Sequence, residues 1–184
     1  MLALPAISNA TPVLKLSVNG GITWFDYTAG STGQVLGSRF SIITPISAVS
    51  SNDGLSLSGV FSSFGGPETL MISFSDYFTG TSPRDVDVSL DFYADNDGTI
   101  VYKGIVPGEP DTVLTGSDTE TILGYVPPTS PFMLRQLITL DGGSVQAYFV
   151  DASLGASPVP EPSSLILLGS GLIGACFIAR RKRS

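Results

Sequence analysis

Apolar residues recur at every second position through most of this chain. The clearest run is Asp85 to Tyr93, where Val86, Val88, Leu90 and Phe92 share one parity and Asp85, Asp87, Ser89 and Asp91 the other. Period two puts the two sets on opposite faces of a β-strand. Leu14, Leu16 and Val18 alternate in the same way with Lys15 and Ser17, and Leu70, Ile72 and Phe74 with Met71, Ser73 and Ser75. Val145, Ala147 and Phe149 alternate with Gln146 and Tyr148. No stretch before the C-terminal tail carries a convincing helical stripe.

Turn residues punctuate these runs. Asn19-Gly20-Gly21, Asn52-Asp53-Gly54, Gly65-Gly66-Pro67, Asn96-Asp97-Gly98, Pro107-Gly108 and Asp141-Gly142-Gly143 supply left-handed or proline-fixed backbone between extended segments. Strands are expected near 13–18, 22–27, 35–44, 55–62, 69–75, 86–94, 99–104, 121–126, 132–140 and 144–151. Short strands with one apolar face each predict an all-β fold, an antiparallel two-sheet sandwich of jelly-roll or Greek-key type. A closed barrel is the structural alternative. An outer-membrane barrel is disfavoured because the second face carries too much Asp and Ser for lipid contact. No internal repeat signals a solenoid.

The last residues break the pattern. Ser157-Pro-Val-Pro-Glu-Pro-Ser-Ser164 leads into Leu165–Ala179, which carries no charge, and then into Arg180, Arg181, Lys182 and Arg183. The prolines favour an extended approach. The apolar run predicts one C-terminal transmembrane helix, and the basic cluster holds its end on the cytoplasmic side of the lipid bilayer. Ser163–Ala179 is 17 residues, about 25 Å as a helix against a hydrocarbon core of about 30 Å. Such a span is short and depends on snorkelling Arg and Lys. Val159-Pro160-Glu161-Pro162-Ser163-Ser164, the Leu-rich run and the basic terminus together resemble the PEP-CTERM sorting signal. The resemblance is confined to about 25 residues at the C-terminus. It implies a Gram-negative bacterium that makes exopolysaccharide. It also implies an exosortase, a membrane protease-transpeptidase that recognises Pro160, Glu161 and Pro162 and cuts near them. The protein would then reside at the cell surface or in the biofilm matrix.

Met1–Ala10 reads as the remnant of a signal peptide, with Ser8 and Ala10 spaced as the −3 and −1 positions of a cleavage site. The expected organisation is therefore 1–10 signal remnant, 11–151 extracytoplasmic β domain, 152–164 linker with the sorting motif, 165–179 transmembrane segment and 180–184 cytoplasmic tail.

Composition narrows the chemistry. From Thr11 to Ser157 fifteen carboxylates face five cations, a net charge of −10. Such a surface repels phosphate backbones, so nucleic acid is not an expected partner. The chain has no histidine, and Cys176 is its one cysteine, inside the apolar run. His-containing triads and thiolate zinc sites are excluded from the central domain. Asp91, Asp95 and Asp97, beside Gly98, are the candidate calcium ligands. They miss the spacing of a helix-loop-helix calcium loop, and a polar hairpin turn is the preferred reading. Asp85 and Asp87 could serve a carboxylate-based glycoside hydrolase only if partners faced one another across a cleft. Trp24, Phe25, Tyr27, Tyr77 and Phe78 could stack on extracellular polysaccharide, or simply fill the core. Val126–Pro131 is a rigid loop between strands. The expected function is non-enzymatic, a structural or adhesive exported domain without a catalytic residue. A carbohydrate- or calcium-binding surface module is the alternative, and a secreted hydrolase the weaker one.

Overall fold

The computed structural model describes residues 11–30, 35–36, 39–51, 53–64, 69–95, 99–141 and 145–158. Among these residues there is no helix. Thirteen strands are formed: β1 Val13–Ser17, β2 Phe25–Asp26, β3 Val35–Leu36, β4 Phe40–Ile42, β5 Ser47–Ser51, β6 Gly54–Phe64, β7 Thr69–Phe78, β8 Arg84–Ala94, β9 Ile100–Ile105, β10 Thr112–Leu114, β11 Asp118–Tyr125, β12 Phe132–Asp141 and β13 Val145–Pro158. All pairings are antiparallel. One sheet runs β10-β9-β12-β7-β1-β2, and the other runs β11-β8-β13-β6-β4-β3, with β5 also on β6.

The topology is a hairpin of strands rolled on itself. β9 pairs with β10, β8 with β11, β7 with β12 and β6 with β13. Successive nested pairs fall in alternate sheets, and the lateral pairings β9·β12 and β8·β13 knit the coils together. The described residues thus form an all-β fold of two antiparallel sheets. β1 and β2 extend one sheet beside β7. β4 and β5 share one edge of β6, facing Phe61–Ser63 and Gly54–Ser58 respectively. Between them the chain steps out, and Thr44 compensates: its hydroxyl accepts the Val60 N–H at 3.0 Å.

The predicted parity holds through most strands, because one face of each must leave water. Leu14, Leu16, Leu70, Ile72, Phe74, Ile100, Tyr102, Leu134, Ile138 and Leu140 point in from one sheet. Leu55, Leu57, Phe61, Val86, Val88, Leu90, Tyr148, Val150, Ala152, Leu154 and Ala156 meet them from the other. β13 corrects the expectation for Phe149. Tyr148 is buried and Phe149 is 40 % exposed, because the inward set continues through Val150, Ala152 and Leu154 and leaves Asp151 outward. β13 also runs seven residues past the expected boundary at Asp151. Residues 152–158, read from sequence as linker, pair with β8 up to Pro158 opposite Arg84. Their Ala, Gly and Ser look like a linker, yet Ala152, Leu154 and Ala156 are buried and continue the inward set of Tyr148 and Val150. At Gly54, opposite Gly155, a Cβ would run into the Leu154 carbonyl. β13 ends where proline, which cannot donate to a ladder, enters a central strand.

Polar groups also cross the interior. Tyr102 donates to the Ser153 carbonyl at 3.0 Å, and Gln136 Nε2 to the Leu55 carbonyl at 3.0 Å. Tyr148 donates to the Asp141 carbonyl. Each bond joins one sheet to the other.

Two predictions follow from this interior. Residues 11–158 fold alone, whereas a chain ending at Asp151 does not. Losing Leu154 alone costs about 2–5 kcal/mol, from a total of about 5–15 kcal/mol, and the ladders on both sides go with it. Circular dichroism of the two fragments decides it; a cooperative melt of the shorter one would contradict the role of β13. The second concerns alkali. Burial, together with the Asp141 carboxylate, pushes the Tyr148 hydroxyl from 10.0 up to about 12, and burial moves Tyr102 the same way. Above about pH 10 the unfolded chain loses phenolic protons that the folded chain keeps. The stabilisation is therefore complete below the unfolded value and is lost as pH rises through about 12. A Tyr102→Phe/Tyr148→Phe variant, less stable at neutral pH, shows a flatter loss of stability above pH 10 in denaturant titrations; an unchanged slope would refute this.

Candidate functional site

The two outer faces differ in charge. Lys15, Lys103 and Arg135 lie on the outer face of the β1-containing sheet, where Lys15 pairs with Asp26 at 3.4 Å and Arg135 Nε donates to Ser73 at 2.9 Å. Asp85, Asp87, Asp91 and Asp151 lie on the outer face of the β13-containing sheet, opposite in parity to the buried Val86, Val88, Leu90 and Ala152. There Thr119, Ser89, Ser153 and Ser56 form one hydroxyl row across four strands.

The carboxylates proposed for chemistry already have partners. Asp85 Oδ1 accepts the Gly124 N–H at 2.8 Å, and Asp87 Oδ1 accepts the Thr121 hydroxyl at 2.7 Å. Both bonds fasten β11 to β8, and the two residues share one exposed strand face rather than opposing each other. Asp91 stands opposite Asp151 in the ladder, and Ser117 donates to it at 3.1 Å. The neighbouring Asp95 carboxylate, by its hydrogen-bonding and then its charge, raises the pKa of Tyr93. Asp97, the third calcium candidate, lies outside the described residues. Among the described residues no three acidic, His or Cys side chains gather as a metal site would require.

The predicted aromatics do not form one surface. Trp24 sits by Gly21 and Met71 near the start of β7, Phe25 is exposed, and Tyr27 packs on the core edge. Phe78 is buried about seven residues further along, roughly 23 Å away by strand rise, with Tyr77 exposed beside it. Instead, Tyr93 and Phe149 stand directly opposite on β8 and β13, followed by Val60 on β6. Tyr93 is 66 % exposed, and Asp91, Asp151 and Ser58 occupy the next outward row. The sequence signal was an aromatic on the polar parity of Asp85-Asp87-Ser89-Asp91.

The end of the sandwich from which β13 departs is tightly built. Tyr125, Arg84 and Pro158 share one register row across β11, β8 and β13. Arg84 lies over the Phe132 ring at 5.5 Å and donates to the Thr79 carbonyl at 2.8 Å. Phe132 in turn packs against Phe78 and Tyr125. Tyr125 donates to the Pro107 carbonyl at 2.9 Å, and Ser130, in the Val126–Pro131 loop, accepts the Gly80 N–H at 3.1 Å. Pro158, the last described residue, stands opposite Arg84 in this cluster.

Residues 158–183 match the PEP-CTERM protein-sorting motif.

The first residue of the PEP-CTERM match is thus the last residue of the domain's central strand. The motif implies export and membrane-anchored sorting by an exosortase-type enzyme in a Gram-negative bacterium. Pro160, Glu161, Pro162, the apolar segment 165–179 and Arg180, Arg181, Lys182 and Arg183 fall within the match but outside the described residues. No helix among the described residues is long and apolar enough to cross a membrane. No curated protein matches the chain. Among solved structures, the chain is similar to TmCBM61 in complex with beta-1,4-galactotriose, with 10 % identity, 58 % of this chain and 70 % of that one covered, and a TM-score of 0.36. It is also similar to a family two carbohydrate esterase from Cellvibrio japonicus, with 16 % identity, 82 % of this chain and 36 % of that one covered, and a TM-score of 0.24. Scores this low carry no functional argument.

Proposed function

We propose that this protein is delivered by its PEP-CTERM signal to the cell surface or the extracellular matrix, and that its jelly-roll domain has a structural or adhesive role there. The observation that carries the reading is the motif match at 158–183, joined without a spacer to β13. An exosortase cuts near Pro160, Glu161 and Pro162, C-terminal to the Tyr148–Pro158 ladder with β8, so processing leaves those pairings intact. The engagement of Asp85 and Asp87 in holding β11 supports a structural rather than a catalytic role for that pair. Intact-mass spectrometry of the surface-localised protein tests this. The mature chain retains Val145–Pro158 and lacks the apolar segment, whereas cells without the exosortase keep the full tail. Finding Glu161–Ser184 on the surface form would defeat it.

A second reading rests on the row Tyr93, Phe149 and Val60. Exposed aromatic faces stack on sugar rings, and the flanking Asp91, Asp151 and Ser58 offer acceptors to sugar hydroxyls. The surrounding carboxylates favour an uncharged polysaccharide. In affinity electrophoresis through neutral polysaccharide, residues 11–158 are retarded, and Tyr93→Ala/Phe149→Ala weakens binding at least tenfold, about 1.4 kcal/mol. Equal mobility of the two proteins with and without polysaccharide would discard this reading.

A further inference from the structure

β11 meets β8 with a register shift between Ile122 and Tyr125. Gly124, at φ 64°, forms the irregularity, and its N–H is pinned to the Asp85 carboxylate at 2.8 Å. Bulges re-aim side chains. Here the result is Leu123 at 76 % exposure, with Val126 at 57 % just beyond Tyr125. Neither contributes to the buried core. Because Tyr125, Arg84 and Pro158 share one row, only two strand spacings, about 10 Å, separate this apolar pair's strand from the point where the chain leaves.

Chain length then sets how far this end can stand from a bilayer. Between Pro158 and Ser163 lie only Val159–Pro162, four residues, so five residue steps allow at most about 18 Å when fully extended. Each headgroup layer is about 5–7 Å deep, and a span of about 25 Å is already shorter than the core. Little tether remains. We propose that the exit end of the sandwich seats on the outer face of the bilayer while the tail is inserted, with Leu123 and Val126 entering the headgroup–acyl boundary. This rests on the reading of Ser163–Ala179 as a membrane span. Tethering supplies a high effective concentration, so two shallow side chains suffice. Glu109 and Asp111, exposed on the β9–β10 loop of the same end, restrict the contact to zwitterionic lipid.

The test uses the full chain in phosphatidylcholine vesicles with brominated acyl chains. Trp24, beside Met71 at the far end, is the built-in distance control. In a Trp24→Phe background, Leu123→Trp loses at least half its emission to the brominated lipid, and Val126→Trp behaves likewise, while Trp24 of the unmodified chain is unquenched. Equal, unquenched emission from all three, in chains that resist carbonate extraction, overturns the seating but leaves the span intact. Release by carbonate removes both. If no quenching occurs but Leu123→Ser/Val126→Ser slows processing in cells, the face belongs to the processing enzyme and the lipid proposal is wrong.

Discussion

β13 is held on both sides, by β6 from Gly54 to Phe64 and by β8 from Arg84 to Ala94. In a roll built from nested pairs, β6·β13 is the outermost, and it joins residues about a hundred positions apart. Of the inner pairs, β7·β12 and β9·β10 lie in the facing sheet, while β8·β11 continues the sheet of β6·β13 through the β8·β13 ladder. Tyr102 and Gln136 reach from the opposite sheet to the carbonyls of Ser153 and Leu55, on these same two strands. The last strand therefore completes both a sheet and the interior. Its non-local pairing makes closure the entropically costly step.

That constraint gives the position of the sorting segment a physical meaning. A signal at the C-terminus is commonly imagined on a loose stalk. Here the match begins at the final ladder residue, so a chain cannot close its roll until the segment next to the signal has emerged. Folding and sorting thus engage adjacent residues. The Arg84–Phe132–Tyr125 cluster braces the departure point, which suits an end that bears the pull of the tether.

Much of the fold was legible because one strand face must leave water. The alternation in Asp85–Tyr93 placed Val86, Val88 and Leu90 inside, where they lie. The strand expected at 35–44 became β3 and β4, and β5 and β10 were missed because short edge strands carry little periodic signal. Ala152–Ala156 was missed for a different reason: small residues mark a linker by composition, and only pairing with β6 and β8 and burial of Ala152, Leu154 and Ala156 show them as strand. The sorting motif at 158–183 was readable because it is a local pattern in the linear sequence. The Tyr93–Phe149 row and the Leu123 bulge were not, because each depends on register between distant strands. Asp85, weighed in sequence as a catalytic carboxylate only if a partner faced it, accepts the Gly124 N–H at the β11 irregularity.

The central claim is that the strand leading into the sorting signal is the keystone of the domain. Native-state hydrogen exchange on residues 11–158 tests it most directly. The account predicts that the ladder amides between Tyr148 and Ala156 exchange only through global unfolding, with the same free energy as the slowest amides of β7 and β12. Exchange of those amides at the rate of a fraying terminus, while β7 and β12 stay protected, would contradict it.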